Sequence, residues 1–385
     1  MIEKLNYFPV NWIDGMKINK NHFNSIQNFI NDSIKDTVGL HTSLISYGLL
    51  PADNSIKLNL MVDSHKSLRV QVQECHAITP NGSRIEIDDR SETVNTNSTY
   101  LEASYEIKGD ESLKLWVCIS VNYFKRIPFG DSDPEENPPR YPFTKPEYLL
   151  SLIPENELVN ETGLGGNFLI IGKVLVNSYE SKIDNAYIPP SVYVGSHKRL
   201  QELYDEINRF YGQIEVFSIQ IAQKINSKKQ ANELALMMLL VTDKILDYLG
   251  VEINKIRWLG KHKAPSEMLL SVVGLGRTLK NLFDSKSGAG KEELLNYFAD
   301  WCNVNQGTFE NIFLELINNN YNHNQIDVSV SKIHKFMDVF ENLLSSLSRL
   351  DYIGKKRDGS IFVSEITDER DSLLYGKRSK SFLAD

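Results

Sequence analysis

The apolar positions of this chain change their period near its middle. Leu113, Leu115, Val117, Ile119, Val121 and Tyr123 occupy alternate places, the spacing that puts side chains on one face of a strand. Leu68, Val70 and Val72 alternate likewise, and Pro80-Asn81-Gly82-Ser83 predicts a turn before a short strand carrying Ile85 and Ile87. Phe168 to Val176 and Tyr187 to Val194 are further predicted strands. With no helical pattern between them, these segments predict an antiparallel β sandwich or shell instead of a parallel α/β sheet. Six prolines from Pro128 to Pro146, together with Asp131, Asp133, Glu135 and Glu136, predict a long, acidic, exposed loop (128–146), because proline cannot complete the ladder of a central strand.

After Gly195 the period becomes helical. Leu200, Leu203, Ile207, Phe210, Ile214, Phe217 and Ile221 step by three and four residues, a heptad seam. Such a seam packs either inside one chain or between copies, and the spacing does not separate the two. A second helix is expected over Ala231, Leu234, Met238, Val241, Ile245 and Tyr248, ending at Gly250. A third starts near Pro265 and runs through Leu269, Val272, Leu279 and Phe283, with Gly274 and Gly276 placed for close approach of another backbone. Further helices are predicted from Leu294 to Ile317, with a break near Gly307, and through Ile333, Phe336, Phe340, Leu344 and Leu347. A hairpin at Asp358-Gly359 and a charged tail from Asp368 to Asp385 follow. The expected class is α+β and multidomain: a β-rich shell at 1–195, a helical-bundle neck at 196–320 and a small α/β C-terminal head at 321–385.

Composition narrows the function classes. A chain of 385 residues with 41% hydrophobic and 24% charged positions is that of a soluble globular protein with more than one core. A net charge of -8 leaves no basic surplus to neutralise phosphates, so no nucleic acid is expected as partner. The longest apolar run, Leu234 to Val241, is far short of the roughly 20 residues that cross a bilayer, and no apolar segment follows Met1. The protein is expected in the cytoplasm without membrane insertion.

The search for chemistry yields little. Cys75, Cys118 and Cys302 are widely spaced and contain no CxxC pair, so buried free thiols are expected. Ser285 to Lys291 resembles a phosphate loop but has Ser285 where glycine is needed and Glu292 where a hydroxyl belongs, which favours a plain loop. Gly274 and Gly276 lack the third glycine of a dinucleotide site. The eight histidines form no HExxH and no helical pair. The sequons at Asn81, Asn97 and Asn160 read as polar turns. No metal, no cofactor and no catalytic residue is expected; an enzyme would need a site assembled from distant residues.

A family resemblance enters at the N-terminus. Trp12-Ile13-Asp14-Gly15-Met16, followed by His22-Phe23-Asn24, resembles the opening signature of the TssK family of type VI secretion baseplate subunits, which reads Trp-x-Glu-Gly-Met and then His-Phe-Gln. Tyr47-Gly48 is similar to its Tyr/Trp-Gly segment, Pro80 to Ser83 to its Pro-Asp-Gly-Thr turn, and Tyr187-Ile188-Pro189-Pro190 to the motif that closes its β domain. His262 to Leu275 is similar to a family segment with His-Pro before an apolar helix, although Lys263 and Ala264 intervene here. The resemblance thins after Asn320, which implies a reduced head.

The resemblance implies a homotrimeric, non-enzymatic adaptor at the inner face of the cytoplasmic membrane. Its shell would hold the wedge proteins TssF, TssG and TssE, and its C-terminal end would face the membrane complex of the secretion system. Partner contact is expected at Trp12, Gly15, Met16, His22 and Phe23, and trimerisation along the Leu200 to Ile221 seam. The alternative is a phage-type baseplate or receptor-binding protein that recognises a cell-surface glycan.

Overall fold

A computed structural model of the chain describes residues 4–41, 43–63, 67–88, 100–107, 112–158, 166–177, 180–286, 289–302 and 304–354. The expected hairpin at 358–359, the tail at 368–385 and the sequons at Asn97 and Asn160 lie outside them. The described strands are β1 (Gly48–Leu49), β2 (Ile56–Val62), β3 (Ser67–Ile78), β4 (Arg84–Ile87), β5 (Leu101–Glu106), β6 (Leu113–Phe129), β7 (Phe143–Pro154), β8 (Phe168–Val176) and β9 (Ser181–Ile183), of which β3, β4, β6 and β8 contain expected segments. Their ladders are antiparallel. In one sheet β3 is the spine, pairing with β2 and β5 along its length and with β1 and β4 at its end; the other runs β7-β6-β8-β9.

Period-two patterning explains the packing. Leu68, Val70 and Val72 of β3, Leu115, Val117 and Ile119 of β6, and Leu169, Ile171 and Val174 of β8 are buried in one core shared by both sheets. Each such side chain contributes about 1.5–3 kcal/mol by leaving water. The opposite face of β6 and β8 is buried as well: Trp116, Cys118 and Ile170 form a second cluster with Tyr187. Burial lifts the Cys75 and Cys118 thiols to about 12, so both stay protonated and inert.

The proline-rich segment departs from expectation at both ends. Arg126, Ile127, Pro128 and Phe129 pair with Pro146, Lys145, Thr144 and Phe143, which leaves only 130–142 as loop. β8 pairs with β6 only as far as Ser120. Beyond that point β6 and β7 form a two-stranded arm, where a proline can turn its missing donor outward.

Tyr187 to Val194 is not a strand either. Its consecutive prolines cannot donate, and only Ser191 bridges to Leu49. The segment closes a polar knot in which Leu49 donates to the Pro190 carbonyl (2.7 Å) and Val192 to the Leu49 carbonyl (2.9 Å). Gly48 has φ +109°, and a Cβ there would overlap the Pro190 carbonyl, so only glycine fits. Tyr47 and Tyr187 both donate to Asn324, at 2.9 and 3.1 Å. His323, 3% exposed, lies 2.9 Å from the Tyr47 carbonyl through Nε2 and 2.7 Å from the Tyr321 hydroxyl through Nδ1. A carbonyl only accepts, so Nε2 carries the ring proton and Nδ1 accepts from Tyr321. Burial lowers the His323 pKa to about 4, which keeps it neutral.

The second half is helical: α2 (Lys198–Ser227), α3 (Glu233–Leu259), α4 (Pro265–Asp284), α5 (Ala289–Cys302), α6 (Gln306–Ile317) and α7 (Ile326–Ser348). α3 continues nine residues past Gly250, since a glycine weakens a helix interior without ending it when the flanking turns pack. At Gly274 and Gly276 side chains, not a backbone, come close: Tyr248 and Leu316 occupy the space a Cβ would need. Six seam residues, Leu200, Leu203, Ile207, Phe210, Ile214 and Ile221, are buried inside the chain, and Phe217 is half-buried.

The chain divides into two compact units. One comprises Met1–Arg209, Ile253–Val273 and Asn318–His334; the other Phe210–Glu252, Gly274–Ile317 and Lys335–Asp385. These limits differ from the expected boundaries at 196 and 321, because sequence period reports element type and not which elements pack together. α7 occupies much of the described stretch after 321. The core of the second unit is aromatic, with Phe313 edge-on to Phe336 at 5.1 Å and Phe336 stacked on Phe340 at 5.4 Å.

Candidate functional site

The N-terminal residues, whose sequence suggested a motif but no element, form an extended strap (4–19) and a helix, α1 (Lys20–His41). Phe23, Ile26, Ile30 and Ile34, at steps of three and four, are the helical signal for α1. Asn19 caps it: the Asn21 N–H donates to Asn19 Oδ1 at 2.9 Å, and the Asn19 N–H donates back to His22 Nδ1 at 3.2 Å. This reciprocal pair satisfies donors that a helix start leaves open.

A surface helix ordinarily buries its apolar stripe. α1 does the reverse: its buried residues are Asp32 and Lys35, whereas Phe23, Ile30, Ile34 and Leu40 are exposed. Asp32 is turned inward because its carboxylate accepts the N–H groups of Asn6 (2.8 Å) and Tyr7 (3.0 Å), tying the strap to the helix. Along its inner side α1 also meets the Pro80–Ser83 turn, where a Cβ on Gly82 would stand 2.9 Å from Val38. Asn81 is buried in that turn, bonded to Asn167 at 2.6 Å, which suits a polar turn residue and leaves no room for a glycan.

The arm of β6 and β7 joins the same assembly. Tyr7 packs on Phe124 with ring centroids 4.4 Å apart, and Arg126 donates to Asn28 at 2.5 Å. Farther along the arm Phe143 and Tyr141 are exposed, with Lys145 over the Phe129 ring.

Of the expected contact residues, Trp12 is 49% and Phe23 58% exposed. Gly15 is exposed with φ +80° in the turn between them, and Met16 and His22 are half-buried. Trp12 packs near His22 with centroids 5.8 Å apart. The structure therefore gathers these five residues where strap meets helix. Leu5, Phe8, Ile13 and Ile18 of the strap are exposed too, apolar residues that the motif did not flag. Large apolar side chains left in water along one strap and helix mark a candidate interaction surface. The trimerisation seam is not part of it, being buried within the chain.

Other candidate chemistry is accounted for locally. Lys291, the lysine of the phosphate-loop resemblance, is paired with Asp284 at 2.6 Å, and Lys280 pairs with the same carboxylate. These ammonium groups hold the Asp284 carboxyl below its usual range. Together with Glu310 they form the polar rim of a cavity of about 200 Å³ otherwise walled by Phe283, Leu295, Phe309, Phe313 and Leu314. Among the described residues no group of three His, Cys, Asp or Glu is placed to hold a metal, and no helix is long and apolar enough to cross a membrane.

No protein-family model matches the sequence, and no curated protein matches it. Solved structures do. The crystal structure of TssK aligns with a TM-score of 0.54 at 14% identity, covering 88% of this chain and 72% of that one. TssK from EAEC in complex with a nanobody gives 0.47 at 10% identity over 83% and 99% of the two chains. A TssK-TssF-TssG baseplate subcomplex of the type VI secretion system gives 0.43 at 8% identity over 87% and 99%. An antiparallel β region built on these motifs and followed by a helical region gives this chain the TssK fold.

Proposed function

We propose that the chain is a structural adaptor of a type VI secretion baseplate and makes or breaks no bond. Its strap and α1 dock wedge subunits of the TssF, TssG and TssE kind, and its far end faces the membrane complex at the inner face of the cytoplasmic membrane. The observation that carries this reading is the inverted helix: α1 turns Asp32 and Lys35 inward and leaves an apolar stripe in water. Leaving that stripe uncovered forgoes burial worth about 1.5–3 kcal/mol per large side chain. The family resemblance of Trp12 to Phe23 and the TssK fold support the choice of partner.

The adaptor works as a homotrimer, in which linkage of three copies raises the effective concentration of weak contacts. Since most of the α2 seam is spent inside the chain, the copies meet through other residues. Light scattering should return three times 44.0 kDa. The decisive experiment is co-purification with the TssF- and TssG-type subunits of the same secretion system. Met16→Ser and Phe23→Ser should lose those subunits while keeping a normal circular dichroism spectrum; loss of folding would make the segment core and refute the reading. A glycan-binding, phage-type role would draw on the exposed Tyr141 and Phe143 of the arm. Retention of the chain on a cell-surface glycan array, abolished by Tyr141→Ala, would favour that role instead.

A further inference from the structure

We infer that the cavity formed by α4, α5 and α6 is the seat of the Phe362 ring of the same chain. Of its walls, Phe283, Leu295, Phe309 and Phe313 are no more than 5% exposed, and Leu314, at 40%, stands toward the opening. Walls that face about 200 Å³ of space lack partner atoms on one side and forfeit those contacts. An apolar lining of this kind excludes water, and a cavity of about 150 Å³ built from such residues takes up benzene. One apolar ring is therefore the fitting occupant. The rim of Lys280, Asp284, Lys291 and Glu310 favours polar groups on either side of that ring.

The chain carries such a ring close by. After α7 the backbone is pinned in place: Lys224 donates to the Ser348 carbonyl at 2.6 Å, the Ile353 N–H donates to Gln230 Oε1 at 3.1 Å, and Asn232 donates to the Ile353 carbonyl at 3.3 Å. The Gly354 N–H then donates to the Tyr297 hydroxyl at 3.1 Å. These bonds fix where the following residues leave, beside α5, the helix that also brings Lys291 and Leu295 to the cavity. Ile361-Phe362-Val363 are the first large apolar residues after Ile353, and they stand between Ser360 and Ser364-Glu365. An apolar tip with polar flanks is what the cavity and its rim accommodate.

Reach and charge agree with this seat. Leu295 and Tyr297 are two residues apart and so lie about 200° apart around α5. The solvent side between them carries Glu292, Glu293, Asn296 and Asp300, all exposed. Half the girth of a helix 10–12 Å wide is about 17 Å. The eight residues from Gly354 to Phe362 span up to about 26–29 Å, enough to pass around that side. Lys355, Lys356 and Arg357 would cross it first, three cations over the three carboxylates of Glu292, Glu293 and Asp300. One exposed pair contributes little, but three of one sign against three of the other favour this direction at Gly354. The later rings of Tyr375 and Phe382 stand farther from Gly354 in sequence, and closing the longer loop costs more entropy.

The test is thermal melting of the full chain with and without benzene. Phe362→Ala vacates the cavity, so benzene near saturation should raise its melting temperature by at least about 2 °C. The parent chain and Phe382→Ala, in which the cavity stays filled, should not move. An equal rise in parent and Phe362→Ala would show that the cavity is empty in the parent. A rise in neither would show that it takes no ring, and a rise in Phe382→Ala alone would give the seat to that ring; each result overturns the inference. Glu310→Cys combined with Val363→Cys identifies whose chain is seated, when isotopically light and heavy chains are mixed before oxidation. Disulfides should join positions 310 and 363 of the same chain, whereas disulfides between light and heavy chains would give the seat to a second copy and overturn the assignment.

Discussion

Acid should loosen the polar knot through His323. The unfolded chain protonates this ring near its ordinary 6.5, and the folded chain only near about 4, because burial penalises the cation. Protonation would also take away the Nδ1 lone pair that receives the Tyr321 hydroxyl. Between those pH values the unfolded state binds more protons, so stability rises with pH. The contribution of His323 is intact above 6.5 and is lost as pH falls toward about 4. The span of 2.5 pH units corresponds to about 3 kcal/mol, with a slope of about 1.4 kcal/mol per pH unit. At pH 5 the loss is about 2 kcal/mol. His197, lowered to about 4 by burial and the nearby Arg199, moves in the same direction, so the parent chain should respond to both rings. His323→Gln keeps a neutral hydrogen-bonding group that does not titrate. Urea unfolding from pH 7 to pH 5 would be followed by the fluorescence of Trp116, buried in the β region, with the other three tryptophans changed to phenylalanine. The parent should lose about 2 kcal/mol more than His323→Gln over that range. Parallel stability curves for the two would refute the assignment of a neutral, buried His323.

Three further outcomes follow from the same geometry. Phe23→Ser should weaken wedge binding by close to a hundredfold, since about 100 Å² of the ring stands in water at about 25 cal/mol per Å²; titration calorimetry measures this, and the melting temperature should barely move. Gly48→Ala should cost more than about 3 kcal/mol, because a left-handed φ and the Pro190 carbonyl both exclude a Cβ, so thermal melting should show the loss or the chain should fail to express in soluble form. Ile214→Ala should destabilise the chain by about 2–5 kcal/mol in denaturant without altering the mass of the folded assembly, as a side chain buried within one chain predicts.

The sequence by itself determined the element types. Alternation fixed β3 and β6, heptad stepping fixed α2 and the main body of α3, and Pro265 marked the start of α4, because each periodicity follows from backbone geometry alone. It also located the strap and α1 as a place of interest through Trp12 to Phe23. What the sequence could not convey is direction. Phe23, Ile30 and Ile34 have the spacing of a core-facing stripe, and only the fold shows that Asp32 is held inward by the N–H groups of Asn6 and Tyr7, which turns the apolar side to water. The same holds for the seam of α2, whose spacing suited either one chain or several until neighbouring residues of the same chain filled it. The prolines at 128 and 146 forbid a central strand but tolerate a two-stranded arm, and where the third strand stops is a tertiary fact. Tyr47, Tyr187 and His323 lie far apart in sequence and meet in one hydrogen-bonded knot. Periodicity records the face a residue occupies on its own element; which partner covers that face depends on contacts between residues distant in the chain.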